Sequence, residues 1–173
     1  MNALNSFEIK ILDFLHENLS CAFLDTVMPY ITYLCEWGLL SIVLAVVFMA
    51  IPKTRKLGFT LALSILIGYL LVNLTLKPLV GRIRPYKFKE LTDLLVKQQR
   101  GRSFPSGHTI VAFETAMSIF LYNRKWGKVC FAIAVAVGFS RLYLYMHYPT
   151  DVIAGAVLGI LVSFASYKLI KKV

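Results

Sequence analysis

The sequence predicts an all-α fold: a polytopic membrane helical bundle of five to six transmembrane helices with an N-terminal interfacial amphipathic helix. Composition is the first observation that supports this class. Of the 173 residues, 58% are hydrophobic and 16% are charged, whereas soluble domains carry about 25% charged residues. The mean hydropathy of +0.68 agrees with this. The second observation is a series of apolar runs of helical length along the chain.

The N-terminal segment, residues 1–34, differs from the rest of the chain. Four apolar residues recur in it at helical spacing: Phe7, Ile11, Phe14 and Leu15. Titratable residues interrupt any continuous span: Glu8, Asp13, His16, Glu17 and Asp25. We therefore expect an amphipathic helix that lies in the membrane interface. A second piece follows it, and whether that piece crosses the membrane as a sixth span is left open.

Residues 35–173 form the predicted transmembrane domain. The runs 57–76 and 150–170 are long enough to cross a bilayer unaided, because about 20 helical residues span the hydrocarbon core. Three shorter or interrupted runs, 36–51, 106–122 and 127–146, need polar residues at one end to reach across. The sequence thus supports five spans in this domain.

Basic residues predict the orientation of these spans. If the spans alternate, the basic loops at 52–56 and 123–128 and the basic tail at 168–172 share one face, which the positive-inside rule makes cytoplasmic. The loop at 77–105 then faces outward although it is also basic, and we attribute part of its charge to anion binding. The expected location is the cell membrane, with a multi-pass topology and the polar residues on the extracytoplasmic side.

Charge and cysteine content exclude other classes. The formal charge of +10 does not indicate nucleic-acid binding, because the basic residues sit in short clusters between apolar runs. Cys21, Cys35 and Cys130 are scattered and odd in number, which indicates neither a disulfide framework nor a zinc site. The oligomeric state cannot be predicted from these features.

Three polar clusters interrupt the apolar domain: Lys77-x6-Arg84-Pro85, Pro105-Ser106-Gly107-His108 and Ser140-Arg141-x5-His147-x3-Asp151. Ser106 and Gly107 precede an apolar helix, so their backbone N–H groups are suited to bind a phosphate. Lys77, Arg84 and Arg141 can surround the oxygens of a phosphoryl group during its transfer. These residues predict a phosphate site.

The two histidines in these clusters suit phosphoryl transfer. One imidazole attacks phosphorus and the other protonates the leaving oxygen. A carboxylate against the attacking imidazole would fix its tautomer. Asp151, four residues after His147, can do so. Thr150 or Asp151 can also cap the helix that follows.

These clusters resemble the three motifs of the type 2 phosphatidic acid phosphatase superfamily over residues 57–173. The resemblance implies that His147 is the nucleophile that forms a phosphohistidine, that His108 is the acid and later the base, and that Asp151 orients His147. It also implies that the phosphate is held by Lys77, Arg84, Ser106, Gly107 and Arg141. No metal or other cofactor is expected, since the family works without one and the chain offers no clustered carboxylates.

The function implied is that of an integral membrane lipid phosphatase that removes the terminal phosphate of a lipid phosphate or diphosphate. Undecaprenyl diphosphate is the first choice of substrate, and phosphatidate, phosphatidylglycerol phosphate and a lipid A phosphate stay open. Two alternatives are a non-catalytic membrane anion transporter and a lipid-binding scaffold without turnover. Glu114, in an apolar helix, is expected to face the bundle interior rather than act as a proton relay.

Overall fold

The computed structural model describes residues 2–33 and 36–172, except the side chains of Asn2 and Trp37, and all regular structure in these ranges is helical. The predicted all-α class is confirmed in this part of the chain. The domain division predicted between residues 34 and 35 falls outside the described residues, as does Cys35, and the division stays a prediction.

Two helices form the N-terminal segment: α1 (Asn2–Leu19) and α2 (Ala22–Tyr33). In α1, Phe7 and Phe14 are exposed, whereas the opposite face buries four residues, Asn5, Glu8, Ile9 and Leu12. The helix therefore turns a partly polar face toward the protein and an aromatic face away from it. Its position in the membrane interface stays a prediction.

A 3₁₀ turn (Glu36–Gly38) leads into α3 (Leu39–Ala50), and α4 (Arg55–Tyr69) packs against α3. The helix continues from α4 through a π-helical stretch (Leu70–Leu76) into α5 (Lys77–Val80). Gly81 ends it, with the positive φ of 63° that glycine tolerates best. The π-helical turns widen the helix just before Lys77, and such turns are frequent near functional sites.

The last third of the chain contains a short α6 (Pro85–Phe88), α7 (Gly107–Tyr122), α8 (Arg124–Tyr143) and α9 (Pro149–Lys171). Asn123 joins α7 to α8, and its side chain accepts the backbone N–H of Trp126 at 3.2 Å. This caps α8, as expected of an asparagine at a helix start. Helix α7 packs against α4, α8 and α9, so it is the central helix of the bundle.

Three stretches of the described residues are long and apolar enough to cross a membrane: Arg55–Phe88, Arg124–Tyr143 and Pro149–Lys171. Helix α3 has 12 residues and α7 has 16, which is shorter than the roughly 20 residues of a complete span. The structure therefore supports a membrane protein, and the number of five to six spans stays a prediction.

Glycines allow α9 to approach α7 closely. A Cβ atom on Gly155 would lie 2.9 Å from the carbonyl oxygen of Ser106, and one on Gly159 would lie 2.6 Å from that of Ile110. A backbone atom this close leaves no room for a side chain. The contact brings the N-terminal ends of α7 and α9 side by side, where the backbone N–H of Ser106 donates to the carbonyl of Asp151 at 3.1 Å.

Glu114 lies in the interior of the bundle, as predicted, and is completely buried on α7. A Cβ atom added to Gly68 of α4 would collide with Oε1 of Glu114. Ser64 of α4 lies next to the same carboxyl group. The carboxyl group of Glu114 thus occupies the space that Gly68 leaves open between the two helices.

The α7–α9 contact predicts a stability difference between two glycine variants. Gly159→Ala should lower the free energy of unfolding by about 1–3 kcal/mol, because the new methyl group meets the backbone of Ile110. Gly138→Ala is the matched control, since its methyl group would lie 3.1 Å from a methyl group of the Val152 side chain, which can shift. Thermal unfolding in detergent measures both, and an equal melting temperature for the two variants would contradict the packing argument.

Candidate active site

The three polar clusters meet at one end of the bundle. They surround a cavity of about 650 Å³. Six of the eight residues predicted from the sequence line this cavity: Lys77, Arg84, Gly107, His108, Arg141 and His147. The other two, Ser106 and Asp151, are completely buried. The structure thus brings together residues that are separated by up to 70 positions, between Lys77 and His147.

His147 lies in the short segment between α8 and α9. Its Nε2 atom is 3.2 Å from Nη1 of Arg84 at the cavity wall, and its Nδ1 atom is 3.5 Å from Oδ2 of Asp151. Burial lowers the pKa of His147 well below its ordinary value of 6.5, and the positive charges of Arg84, Arg141 and Lys77 lower it further. The neutral imidazole, with its proton on the carboxylate side, would leave a lone pair on Nε2.

Hydrogen bonds on both oxygens hold the Asp151 carboxylate. Oδ2 accepts from the Ser103 hydroxyl at 2.5 Å and from the backbone N–H of Tyr148 at 3.0 Å. Oδ1 accepts from Nη1 of Arg82 at 2.6 Å. Helix α9 begins at Pro149, earlier than predicted, so Tyr148 is its N-cap and neither Thr150 nor Asp151 is. Asp151 lies in the first turn and caps the helix from there, because its carboxylate accepts the backbone N–H of Tyr148.

Arg84 and Lys77 are held by neutral oxygen atoms. Nη1 of Arg84 donates to the carbonyl of Met146 at 3.0 Å, and its Nε donates to that of Gly101 at 3.3 Å. Nζ of Lys77 donates to Oδ1 of Asn73, one turn earlier, at 2.9 Å. These partners orient the cations without neutralising them, so their charge is available to an anion in the cavity.

Arg141 is completely buried at the end of α8. It donates to the hydroxyl of Thr32 in α2 and, from Nη2, to Oε1 of Gln99 at 2.8 Å. Thr32 belongs to the N-terminal segment and Gln99 to the loop that covers the cavity. The loop residues that line it are Val96, Lys97, Gln98, Gln99 and Arg100. Sequence reasoning missed Thr32 and Gln99, because neutral polar residues carry no distinctive signal.

The N-terminus of α7 forms another wall of the cavity. Ser106 is its N-cap, and its hydroxyl accepts a hydrogen bond from Thr109 Oγ1 at 2.8 Å. Gly107 and His108 follow and line the cavity. The hydroxyl of Ser106 therefore serves the helix cap. Its backbone N–H, which the sequence predicted to face a phosphate, instead donates to the carbonyl of Asp151 at 3.1 Å. Contact of the Ser106 side chain with a phosphate stays a prediction. Both imidazoles, from His108 and His147, line the same cavity.

A second cavity, an apolar groove of about 430 Å³, adjoins the first between α3, α4 and α7. The two cavities share five lining residues: Gly38, Tyr69, Asn73, Gly107 and Val111. Apolar residues that line only the second cavity include Ile42, Val46, Ile65 and Leu66. A cavity lined by cationic side chains that shares part of its wall with an apolar groove suits a ligand with a charged head and an apolar chain.

Among the residues that the structure describes, no group of three or more His, Cys, Asp or Glu side chains could hold a metal ion.

Sequence reasoning also missed Arg82 and Ser103 as partners of Asp151. For Arg82 a signal was available: it stands two residues before Arg84 in the first cluster. Its charge was assigned to the basic loop as a whole.

Residues 53–173 match the PAP2 superfamily. The undecaprenyl-diphosphatase of Sulfolobus acidocaldarius is 37% identical over 118 residues, which cover 68% of this chain and 57% of that protein. The lipid A 4'-phosphatase of Bacteroides thetaiotaomicron is 36% identical over 57% of this chain and 47% of its own length. Phosphatidylglycerophosphatase B of Bacillus subtilis is 32% identical, over 82% of this chain and 72% of its own length. The matched part thus spans 57% or less of the first two relatives.

Two solved structures share the fold. One is a transmembrane PAP2 type phosphatidylglycerolphosphate phosphatase from Bacillus subtilis, with a TM-score of 0.80 and 29% identity over 100% of this chain and 89% of that one. The other is LpxE from Aquifex aeolicus, with a TM-score of 0.81 and 28% identity over 92% of this chain and 93% of that one. The predicted resemblance to this superfamily is confirmed, and this chain belongs to the PAP2 superfamily.

Proposed function

We propose that this protein is a metal-independent membrane lipid phosphatase. One observation carries the proposal: two imidazoles and three cationic side chains line a single cavity that shares lining residues with an apolar groove. The relatives that are named as undecaprenyl-diphosphatase, lipid A 4'-phosphatase and phosphatidylglycerophosphatase support it.

In the first step of the proposed mechanism, Nε2 of His147 attacks the phosphorus atom. The bond between phosphorus and the leaving oxygen breaks, and His108 gives its proton to that oxygen. In the second step His108 takes a proton from water, the water oxygen attacks phosphorus and the P–N bond breaks. Inorganic phosphate leaves, and both histidines return to their starting states.

The three cations would act on the transferring phosphoryl group. Its equatorial oxygens carry the negative charge of the transition state, and Lys77, Arg84 and Arg141 line the cavity where that charge develops. Their hydrogen bonds to neutral oxygens hold them in place before the substrate arrives, so little reorganisation is needed during the reaction.

We infer that the substrate is a lipid phosphate or diphosphate, with undecaprenyl diphosphate as first choice because a named undecaprenyl-diphosphatase is among the relatives. Phosphatidate, phosphatidylglycerol phosphate and a lipid A phosphate are the other candidates. The head group would occupy the cavity that holds the two histidines, and the chain would occupy the apolar groove. Loop residues 96–100 line the cavity that holds the two histidines and would contact the head group.

The orientation proposed is an active site on the extracytoplasmic side of the cell membrane. The site lies where α5 and α8 end and where α7 and α9 begin. The basic clusters lie at the opposite helix ends: at the start of α4, at the start of α8 and at the end of α9. The positive-inside rule places those ends in the cytoplasm.

An anion transporter and a lipid-binding scaffold would also use a basic cavity. Neither explains an Asp151 carboxylate beside Nδ1 of His147 or a second histidine in the same cavity. A purified protein that binds lipid phosphates in the presence of a chelator without releasing phosphate would favour the scaffold. Phosphate flux without hydrolysis would favour the transporter.

Removal of either site histidine tests the proposed chemistry. His147→Ala and His108→Ala should each lower phosphate release from lipid phosphates by about 10²–10⁴-fold, because nucleophilic or acid–base catalysis is lost. The measurement uses purified protein with a chelator. Radioactive phosphate should be trapped on the wild type and absent from His147→Ala.

His16→Ala is the matched control for these variants, since this histidine lies in α1 with its ring 6.0 Å from that of Tyr143. It should lose far less turnover per folded molecule than either site variant, because His16 packs on Tyr143 and Tyr145 and does not line the cavity. Undiminished phosphate release by His147→Ala would contradict the assignment of the nucleophile.

The lowered pKa of His147 predicts at which pH the activity falls on the acidic side of the pH–rate profile. The imidazole must be neutral to attack, and its pKa lies well below 6.5, so kcat/KM should stay high as the pH falls through 6.5 and decline only at lower pH. The profile is measured with two substrates whose phosphates have different pKa values. A midpoint that is the same for both belongs to the enzyme, and one that differs belongs to the substrate. A shared midpoint at or above 6.5 would show that the imidazole is not shifted in this direction.

The apolar groove predicts a preference for long chains. A long-chain lipid phosphate should have a kcat/KM about 100-fold higher than a water-soluble phosphoester of the same head group, because each buried methylene contributes about 0.8 kcal/mol. The two substrates are compared with the protein in the same detergent micelles, the lipid at a fixed mole fraction in them and the water-soluble phosphoester in the aqueous phase. Equal values for both would remove the groove from the proposal.

A further inference from the structure

Arg82 is a buried arginine that the mechanism above does not use, with 3% of its surface exposed. Its Nη1 donates to Asp151 Oδ1 at 2.6 Å and to Thr150 Oγ1 at 2.7 Å. Its Nε and Nη2 both donate to Asn5 Oδ1, at 3.0 and 2.8 Å. One side chain therefore joins α1, the end of the α4–α5 helix and the first turn of α9.

Glu8 is the acidic partner of Arg82 and is also buried. One carboxylate oxygen, Oε2, forms an ion pair with Nη2 of Arg82. The other, Oε1, accepts the backbone N–H of Thr150 at 2.7 Å. Glu8 therefore supplies from another helix the acceptor that an N-terminal backbone donor of α9 requires.

The guanidinium group also covers the segment that carries the nucleophile. The Cζ atom of Arg82 lies 3.8 Å from the centre of the Tyr148 ring, and Tyr148 directly follows His147. This is within the range of a cation–π contact. Arg82 thus touches the residue after His147 and the carboxylate that faces the imidazole, but it does not line the cavity.

The charge arrangement explains why these contacts matter. A carboxylate buried as deeply as that of Asp151 is stable only when charged or hydrogen-bonding partners satisfy it. Arg82 occupies Oδ1, which leaves Oδ2 directed at Ser103, at the backbone of Tyr148 and at Nδ1 of His147. Glu8 holds the opposite end of the same guanidinium group. The pair Glu8–Arg82 thus sets the angle at which Asp151 meets His147.

Further contacts tie the N-terminal helices to the segment around His147. The Tyr145 hydroxyl donates to Asp13 of α1 at 2.8 Å, and the Tyr143 hydroxyl donates to Asp25 at 2.5 Å. Tyr145 has a positive φ of 54°, which is uncommon for an aromatic residue and needs support from its surroundings. The helices that precede residue 53, where the superfamily match begins, therefore support this segment.

We propose that Arg82 and Glu8 are positioning residues that hold Asp151 against His147, and that α1 is therefore a structural part of the active site. This inference rests on the proposed phosphatase function. It assigns to Arg82 a role separate from that of the cavity cations, because Arg82 acts through Asp151 and does not touch the phosphate.

The test of Arg82 uses the rate of phosphohistidine formation in a single turnover, which does not depend on the fraction of active molecules. Arg82→Gln should lower this rate by about 10–100-fold, the range typical of residues that orient a histidine through an outer partner. Arg82→Lys should recover part of it, because the ammonium keeps the charge but cannot reach all four oxygen acceptors. Arg102→Gln, at an exposed position, is the matched control with a wild-type rate.

A double-mutant cycle tests whether Arg82 acts through Asp151. Arg82→Gln should cause little further loss in an Asp151→Asn background, because the group it positions is already impaired. Inhibition by inorganic vanadate should change less than threefold in Arg82→Gln, which would show that the phosphate pocket is intact. Equal loss in both backgrounds, or a single-turnover rate for Arg82→Gln equal to that of the wild type, would overturn the proposal.

Glu8 provides the test of α1. Glu8→Gln keeps the shape of the side chain and removes its charge, and it should lower the single-turnover rate by about tenfold, the lower end of the same range. Glu17→Gln makes the same change at an exposed position of the same helix and should have no effect. A wild-type rate in Glu8→Gln, with its fold verified by thermal unfolding, would exclude α1 from the site.

The outcomes separate this inference from the proposed function. A wild-type protein that releases no phosphate from any lipid phosphate would refute the function. An active wild type whose Arg82 and Glu8 variants form the phosphohistidine at the wild-type rate would refute the inference alone.

Discussion

The structure depends on one constraint: a charged group inside an apolar helical bundle is stable only where other groups satisfy it. The site end of this bundle buries Arg82, Arg84, Arg141 and Asp151. Their hydrogen bonds run to backbone carbonyls, neutral side chains and one another. These bonds determine which helix ends meet, because a helix that moved away would leave a buried charge without its partners.

The same constraint separates two groups of cations with different tasks. Arg82 is paired with Glu8 and Asp151, so its charge is neutralised within the protein and is not available to a ligand. Lys77 and Arg84 are held by neutral oxygens and line the cavity, so their charge is available to a ligand. Two arginines that stand two positions apart in the sequence therefore differ in function because their neighbours in space differ.

Much of the fold and site follows from patterns in the chain. The two long apolar runs predicted α4 and α9, and a shorter run predicted α8. The alternation of the spans predicted that the clusters of Lys77, His108 and His147 meet on one side, and these residues line one cavity. The patterns did not predict Glu8, Ser103 or Gln99, because a single acidic or neutral polar residue outside a motif carries no information about its distant partners. For α1, the periodicity predicted an amphipathic helix but did not show that its polar face packs on α9.

The sequence by itself determined the class of the protein, the family and most of the side chains that face the cavity, because these depend on composition and on residues a few positions apart. Only the tertiary structure decided that Arg82 belongs to Asp151 rather than to the cavity, that Ser106 caps α7, and that the N-terminal helices contact the segment around His147. The physical reason is distance along the chain. A contact such as that of Glu8 with Thr150 joins residues 142 positions apart, and it exists only after the helices have packed.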